Sequence, residues 1–182
     1  MQNSLRISLQ STRNKFKERT IGKTEKLFII LLTAMLSLLV AFFLQPRYKI
    51  ALQTDYSVHF LIGMMDRINK EPLKGQYFAF NFLAVQGDPR YGWQFVKKLG
   101  CAEGEKLESK GPEGRDFYCN GEYLGTAKHF SKEGRPLKAF QYNGLIPKGY
   151  LFAVGETRDS YDSKFWGFVN NQWIIGTVQK II

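Results

Sequence analysis

The chain has 182 residues, a formal net charge of +10 at pH 7 and 44% apolar residues. This length allows one compact domain with a small additional segment and excludes a large multidomain enzyme, while the apolar fraction excludes a disordered chain. Two cysteines and two histidines leave little room for a zinc site and allow at most one intramolecular disulfide, which excludes a disulfide-dense mini-protein.

The first segment, residues 1–26, is polar and basic. Its cations outnumber its two acids, Glu18 and Glu25, and are Arg6, Arg13, Lys15, Lys17, Arg19, Lys23 and Lys26. Because cations that flank a membrane segment remain in the cytoplasm, we predict a cytoplasmic tail that contacts anionic lipid headgroups. The rest of the chain has scattered lysines and no nucleic-acid-binding motif, so we predict no nucleic acid partner.

An apolar run follows at residues 27–44, LFIILLTAMLSLLVAFFL, without charge, proline or glycine. A helix of this length spans roughly 27 Å, close to the thickness of the hydrocarbon core of a bilayer. The run ends in Phe42, Phe43 and Leu44 instead of the small residues of a cleavage site. We therefore predict an uncleaved transmembrane helix, with an extracytoplasmic domain at residues 45–182.

The domain at residues 45–182 is predicted to be mostly β. Apolar residues alternate along residues 77–85 and again along residues 93–99, as they do in strands. Turn signals such as residues 87–89 (GDP) and 120–121 (NG) recur, and no long helical period follows residue 46. Short strands with frequent turns favour a sandwich or barrel.

The two cysteines, Cys101 and Cys119, bracket a polar loop. In an oxidising compartment they are expected to form a disulfide that joins the ends of a hairpin. The alternative is a pair of free, half-buried thiols.

Lys97 is the first candidate for chemistry. In a strand it shares a face with Phe95 and Leu99, whereas Lys98 points to the other face. Burial disfavours the charged ammonium, and a neutral lysine acts as a general base near neutral pH. The alternative is a lysine whose amine reaches water past its aromatic neighbours.

A lysine base requires a nucleophile, and Ser57 is the one serine between the apolar run and Lys97. The alternative is an ordinary turn or strand serine. A third polar cluster, residues 155–169 (GETRDSYDSKFWGFV), has neither strand nor helix periodicity. There Asp162 and Lys164 are close enough in sequence to pair, and Ser160 is able to hydrogen-bond a neighbour. The alternative is a purely structural turn.

These pieces, in this order behind one apolar helix, resemble the type I signal peptidase family of Ser/Lys proteases. Residues 155–169 resemble its C-terminal box, G-D-N-R-D-N-S-x-D-S-R-x-W-G-x-V, with one residue deleted. Residues 95–98 (FVKK), followed by residues 104–105 (GE), are similar to its lysine box, and residues 74–80 (KGQYFAF) to its box R-G-D-x-V-x-F. The serine box S-M-x-P-T-L-x-x-G-D departs most, because residues 57–66 read SVHFLIGMMD.

The conjugative-transfer branch of that family, the TraF/TrhF-like group, resembles this chain more than the housekeeping enzymes do. It resembles this chain at residues 134–137 (GRPL), 146–149 (IPKG) and 160–163 (SYDS). That branch processes pilin subunits for conjugative pili in Gram-negative bacteria, as part of a type IV secretion apparatus. The resemblance implies an inner-membrane protein with a periplasmic catalytic domain, a propilin or other signal-peptide-bearing precursor as substrate, and other conjugation proteins as partners.

The resemblance also implies a mechanism and roles for individual residues. Lys97 is expected to deprotonate Ser57, with Thr54 as an alternative nucleophile. Ser160 is expected to hydrogen-bond the lysine, and Asp162 to pair with Lys164, without metal or organic cofactor.

Two further expectations concern the membrane and the activity. The strand at residues 77–85 suggests a surface close to the bilayer. The eroded serine box leaves an alternative function, a catalytically degenerate relative that is a structural component of a conjugative type IV secretion or pilus assembly system.

Overall fold

The computed structural model describes residues 22–44, 47–54 and 57–182, which fall into two compact units, Met1–Leu44 and Gln45–Ile182. The first unit contains the helix α1 (Lys23–Leu44), which is long and apolar enough to cross a membrane. It begins four residues before the apolar run because Lys26 N–H already donates a helical hydrogen bond to the Gly22 carbonyl, at 3.0 Å. Most of the predicted cytoplasmic tail, including its basic residues at positions 6–19, lies outside the described residues.

The second unit is mostly β, as predicted. Its described residues form eleven strands, one short α-helix, α2 (Ser163–Trp166), and two 3-10 helices, Pro112–Gly114 and Asn171–Trp173. The strands are β1 (Tyr48–Leu52), β2 (Ile62–Asp66), β3 (Tyr77–Asn81), β4 (Gln94–Cys101), β5 (Lys106–Lys110), β6 (Asp116–Cys119), β7 (Glu122–Thr126), β8 (Asn143–Leu145), β9 (Tyr150–Val154), β10 (Val169–Asn170) and β11 (Ile174–Lys180).

These strands form two antiparallel sheets in the described part of the chain. The larger sheet has the order β1-β2-β11-β3-β4-β9-β10, and the smaller sheet the order β7-β6-β5-β8. In the larger sheet β1 pairs with β2 alone, so its other edge carries no strand. The register between β4 and β9 covers Lys98 to Cys101 only, so the first half of β4 also has an edge without a partner strand.

The strand β3 is buried on both faces, so Phe78, Ala79 and Phe80 do not form the apolar surface that was expected to face the bilayer. Phe78 and Phe80 are fully buried in one apolar cluster, whereas Ala79, between them, is buried in another. Alternating phenylalanines indicated a half-buried strand, but a strand flanked on both edges and covered on both faces gives the same pattern. The strand ends at Asn81, earlier than predicted, and Phe82 N–H bonds the Trp93 carbonyl at 2.8 Å.

The disulfide between Cys101 and Cys119 is present, with 5.6 Å between the two Cα atoms. It does not join the ends of one hairpin as expected. Cys101 ends β4 in the larger sheet and Cys119 ends β6 in the smaller one. The bond therefore ties the two sheets together, next to the fully buried Phe117 and Phe152.

Candidate active site

Ser57 lies in a turn between β1 and β2 and is 4% exposed. Its carbonyl oxygen accepts a hydrogen bond from the backbone N–H of Glu156 at 2.8 Å. The next residue, Val58, is 4% exposed and packs in an apolar cluster with Met65 and Val96. The turn is therefore held by the C-terminal loop on one side and by the core on the other.

Lys97 lies in β4 and is 2% exposed, so its amine does not reach bulk water past its neighbours. Its Nζ atom is 5.4 Å from the centroid of the Phe95 ring, and Phe78 is its partner in the register with β3. The side chain of Lys98 is 38% exposed, with its Nζ atom 3.7 Å from Glu156 Oε1. The alternation of side chains along β4 therefore buries Lys97 and leaves Lys98 partly exposed, as predicted.

Ser160 and the carbonyl oxygen of Ser57 both lie close to Gly155. The side chain of Ser160 is buried, and its Oγ atom has no hydrogen-bond partner within the described ranges. A Cβ atom on Gly155 would collide with that Oγ atom and would lie 3.0 Å from the Ser57 carbonyl oxygen. A residue without a side chain is needed at position 155, because the two serines close around it.

Asp162 and Lys164 form a buried ion pair, with 2.6 Å between Asp162 Oδ2 and Lys164 Nζ. Asp162 is also the N-cap of α2, because its Oδ1 atom accepts the backbone N–H of Lys164 at 3.1 Å. Its Oδ2 atom accepts the N–H of Gly155 at 2.8 Å. The pair thus fixes the backbone directly before the residue that bonds Ser57.

A cleft of about 620 Å³ opens beside these residues. Its walls are β1, the first half of β4 and the loop at residues 157–161, and both Ser57 and Ser160 line it. Thr54, the alternative nucleophile, also lines the cleft. Lys97 is not among the lining residues, but its strand neighbours Phe95 and Val96 are.

Glu156 is a residue of this site that the sequence did not reveal. One carboxylate oxygen, Oε2, accepts the backbone N–H of His59 at 2.8 Å, and the other, Oε1, accepts the hydroxyl of Tyr77 at 2.8 Å. Burial raises the pKa of Glu156, but these hydrogen bonds and the charge of Lys98 outweigh it and leave the pKa below its ordinary value. Burial and the bond to Glu156 raise the pKa of Tyr77 to about 12.

A second unpredicted group contributes Arg90 and Tyr161 to the lining of the cleft. The guanidinium of Arg90 lies 3.7 Å from the centroid of the Tyr161 ring. Asp88 accepts hydrogen bonds from Arg90 Nη2 at 2.7 Å and from the Tyr161 hydroxyl at 3.2 Å. The bond from Arg90 holds the pKa of Asp88 below its ordinary value, although burial opposes this shift. The only signal in the sequence was the turn at residues 87–89, which does not reveal a partner so distant along the chain.

Glu105 has ligand atoms close to the sulfurs of Cys101 and Cys119, all within 4.8 Å of one another. Both sulfurs are bonded to each other, so this cluster offers no thiolate to a metal ion.

The family model described as "Signal peptidase, peptidase S26" matches residues 22–182. The chain is similar to the crystal structure of a signal peptidase I from Enterococcus faecalis V583, with 25% identity, 61% of this chain and 99% of that chain covered, and a TM-score of 0.41. A comparison with the curated proteins gives no match.

Proposed function

Because the chain belongs to the signal peptidase family, peptidase S26, we propose that it cleaves signal peptides with Ser57 as nucleophile and Lys97 as general base. Membership of this family implies a signal peptidase, a serine endopeptidase whose substrate is a precursor with a signal peptide. The observation that carries the residue assignment is the burial of Ser57, 4% exposed, at the wall of a cleft that Phe95 and Val96 also line. Lys97, the next residue of that strand, is 2% exposed.

The proposed reaction begins when the neutral amine of Lys97 takes the proton of the Ser57 hydroxyl. The Ser57 oxygen attacks the carbonyl of the small residue before the cleavage site, and backbone N–H groups near the turn stabilise the oxyanion. The leaving amine departs with a proton from Lys97. The Lys97 amine then takes a proton from water, whose oxygen attacks the acyl carbon. The bond from that carbon to the Ser57 oxygen breaks, and Lys97 returns the proton to Ser57. The expected hydrogen bond from Ser160 to the lysine is not formed in the described residues, because Ser160 Oγ has no partner there. Ser160 instead packs against Gly155 beside the Ser57 turn, while Asp162 and Lys164 hold the loop.

The cleft suits an extended peptide. β1 and the first half of β4 both line it with edges that carry no partner strand in the described part of the chain. An extended segment satisfies such edges by main-chain hydrogen bonds, and pockets for alternate side chains add specificity. The precursor segment before the cleavage site is the expected occupant.

We place the protein in the inner membrane of a Gram-negative bacterium, with α1 as its anchor, the N-terminus in the cytoplasm and the β domain in the periplasm. The charge asymmetry around the apolar run supports this orientation. The motifs at residues 134–137, 146–149 and 160–163 support propilin in conjugative transfer as the substrate, and conjugation proteins as partners.

A structural role without catalysis is the second candidate, and the serine box favours it. Phe60 stands where the family has proline, is 5% exposed and packs edge-on against Tyr77, with 4.9 Å between ring centroids. This position therefore serves packing in the present chain.

The experiment follows processing of the co-encoded propilin in cells with wild type, Ser57→Ala, Lys97→Ala or, as a control, the exposed Lys138→Ala. Precursor is expected to accumulate equally in the first two variants and not in the control, at matched protein levels. If only Lys97→Ala blocks processing, the nucleophile is another residue, and Thr54→Ala is tested next. If neither variant blocks it while deletion abolishes pili, the structural role replaces catalysis.

The propilin assignment has its own test. The purified chain is given a precursor whose signal peptide ends in A-x-A, alongside the propilin. Cleavage of that precursor with no effect of deletion on propilin would retain the peptidase and reject the conjugative substrate.

A further inference from the structure

Glu156 bonds the Ser57 turn at two points. Its backbone N–H donates to the Ser57 carbonyl, and its Oε2 atom accepts from the His59 N–H, both at 2.8 Å. The two partners flank Val58, whose side chain is buried in the core. One residue thereby fixes the peptide planes on both sides of the position that follows the serine.

The same carboxylate connects this turn to the strand that carries the lysine. Its Oε1 atom accepts the hydroxyl of Tyr77 at 2.8 Å and lies 3.7 Å from Lys98 Nζ. Tyr77 and Lys98 are partners in the register between β3 and β4, one position away from Lys97. Movement of Glu156 would therefore change the position of Ser57 relative to the Lys97 strand.

The serine turn of this chain has no proline to restrict its backbone, because residues 57–62 read SVHFLI. A proline would fix one φ angle within the turn. The side chain of Glu156 is only 17% exposed and is ionised at neutral pH, so both oxygens act as acceptors. The second residue of the resembling C-terminal box is aspartate, which is one methylene shorter.

We propose that Glu156 is a positioning residue that replaces the missing restraint and holds Ser57 in register with Lys97. The proposal rests on the proposed function of Ser57. It requires the reach of glutamate: the carboxylate of an aspartate would be one methylene too short to bond both His59 and Tyr77 from the same backbone position. The negative charge itself is not required.

The test measures kcat and KM of the purified full chain in detergent, with a precursor whose signal peptide ends in A-x-A. Glu156→Asp is expected to lower kcat by about 10- to 100-fold, as a displacement near 1 Å does, with KM nearly unchanged. Glu156→Gln keeps an oxygen for His59 and an amide for the oxygen of Tyr77, so it is expected to retain most of the wild-type kcat. Glu156→Ala is expected to fall below both.

The exposed Glu71→Asp is the matched control for shortening a glutamate, and thermal unfolding of every variant sets an assay temperature at which all are folded. Wild-type kcat in Glu156→Asp would overturn the proposal. So would the opposite order, with Asp active and Gln as poor as Ala, because that order reports the charge. Ser57→Ala in the same series separates the two claims: its activity would reject the proposed function, whereas its inactivity beside an active Glu156→Asp rejects the positioning role alone.

Discussion

Ser57 and Lys97 are buried to nearly the same degree, but the turn and the strand that carry them are built by different means. Lys97 is placed by the alternation of β4, which pairs with β3 from Gln94 to Lys98 and with β9 from Lys98 to Cys101. Ser57 is placed by contacts to Gly155 and Glu156, nearly a hundred residues later. Two halves of one proposed dyad thus depend on local periodicity in one case and on tertiary contacts in the other.

The largest expected effect is the loss of cleavage when the amine of Lys97 is removed from β4. Lys97→Met keeps an apolar chain of similar length and removes the amine, so β4 is expected to keep its register. Cleavage of an A-x-A precursor is expected to fall by about 10²- to 10⁴-fold, the usual contribution of a general base. The assay is single-turnover cleavage, with Lys138→Met as control. Full activity in Lys97→Met would remove the lysine from the mechanism.

The next largest effect concerns the loop that holds the serine. Asp162→Asn removes the carboxylate that pairs with the buried ammonium of Lys164. Loss of one partner of a buried ion pair lowers the free energy of unfolding by roughly 3–5 kcal/mol. Urea unfolding of the isolated protein measures this free energy. The double variant Asp162→Asn with Lys164→Met is expected to recover part of it. A single variant as stable as wild type would show that the pair does not hold the loop.

Removal of the disulfide tests how much the covalent bond at the end of β4 contributes to the free energy of unfolding. The bond closes a separation of 18 residues, and such bonds contribute about 2–4 kcal/mol. Cys101→Ala with Cys119→Ala is expected to lower the unfolding free energy by this amount, because the two sheets lose their covalent link. Equal stability of the variant and the oxidised wild type would contradict this expectation. Reduced wild type, assayed in parallel, should match the variant.

The sequence predicted the strand that carries Lys97 better than the contacts that hold the Ser57 turn. A period of two predicted the mostly-β class and the opposite orientations of Lys97 and Lys98. The same rule misread β3, because strands buried on both faces also show alternating phenylalanines. The contacts of Glu156 with His59 and Tyr77 span 97 and 79 residues, and no local pattern reports a partner at that distance. Likewise, Cys101 and Cys119 were paired correctly, but the two sheets that they join depend on topology.

Gly155→Ala should separate the two regions directly. The added Cβ atom would collide with Ser160 Oγ, so the loop must shift away from the Ser57 turn. Overpacking of this kind costs about 1–3 kcal/mol. The exchange protection of the amides in β4 is expected to remain, whereas that of His59 falls. Hydrogen exchange read by NMR measures both, and equal loss in both regions would contradict the distinction.

The smallest effect is the response of the turn to pH. The pKa of Tyr77 is raised to about 12 by burial and by its bond to Glu156, with Lys98 and His59 beside the same carboxylate. A tyrosine in the unfolded chain ionises near pH 10. The contribution of Tyr77 is therefore complete below about pH 10 and is lost as pH rises toward 12.

The lowered pKa of Glu156 has the opposite effect on stability, because the contribution of Glu156 is present above the ordinary pKa range of a glutamate and is lost in acid.

The measurement for Tyr77 is the thermal midpoint from pH 8 to 11.5 for wild type, Tyr77→Phe and the exposed control Tyr91→Phe. The alkaline loss should be smaller in Tyr77→Phe than in the other two. Identical curves would show that the hydroxyl of Tyr77 does not report on Glu156, and the link between the serine turn and the lysine strand would then rest on Lys98 alone.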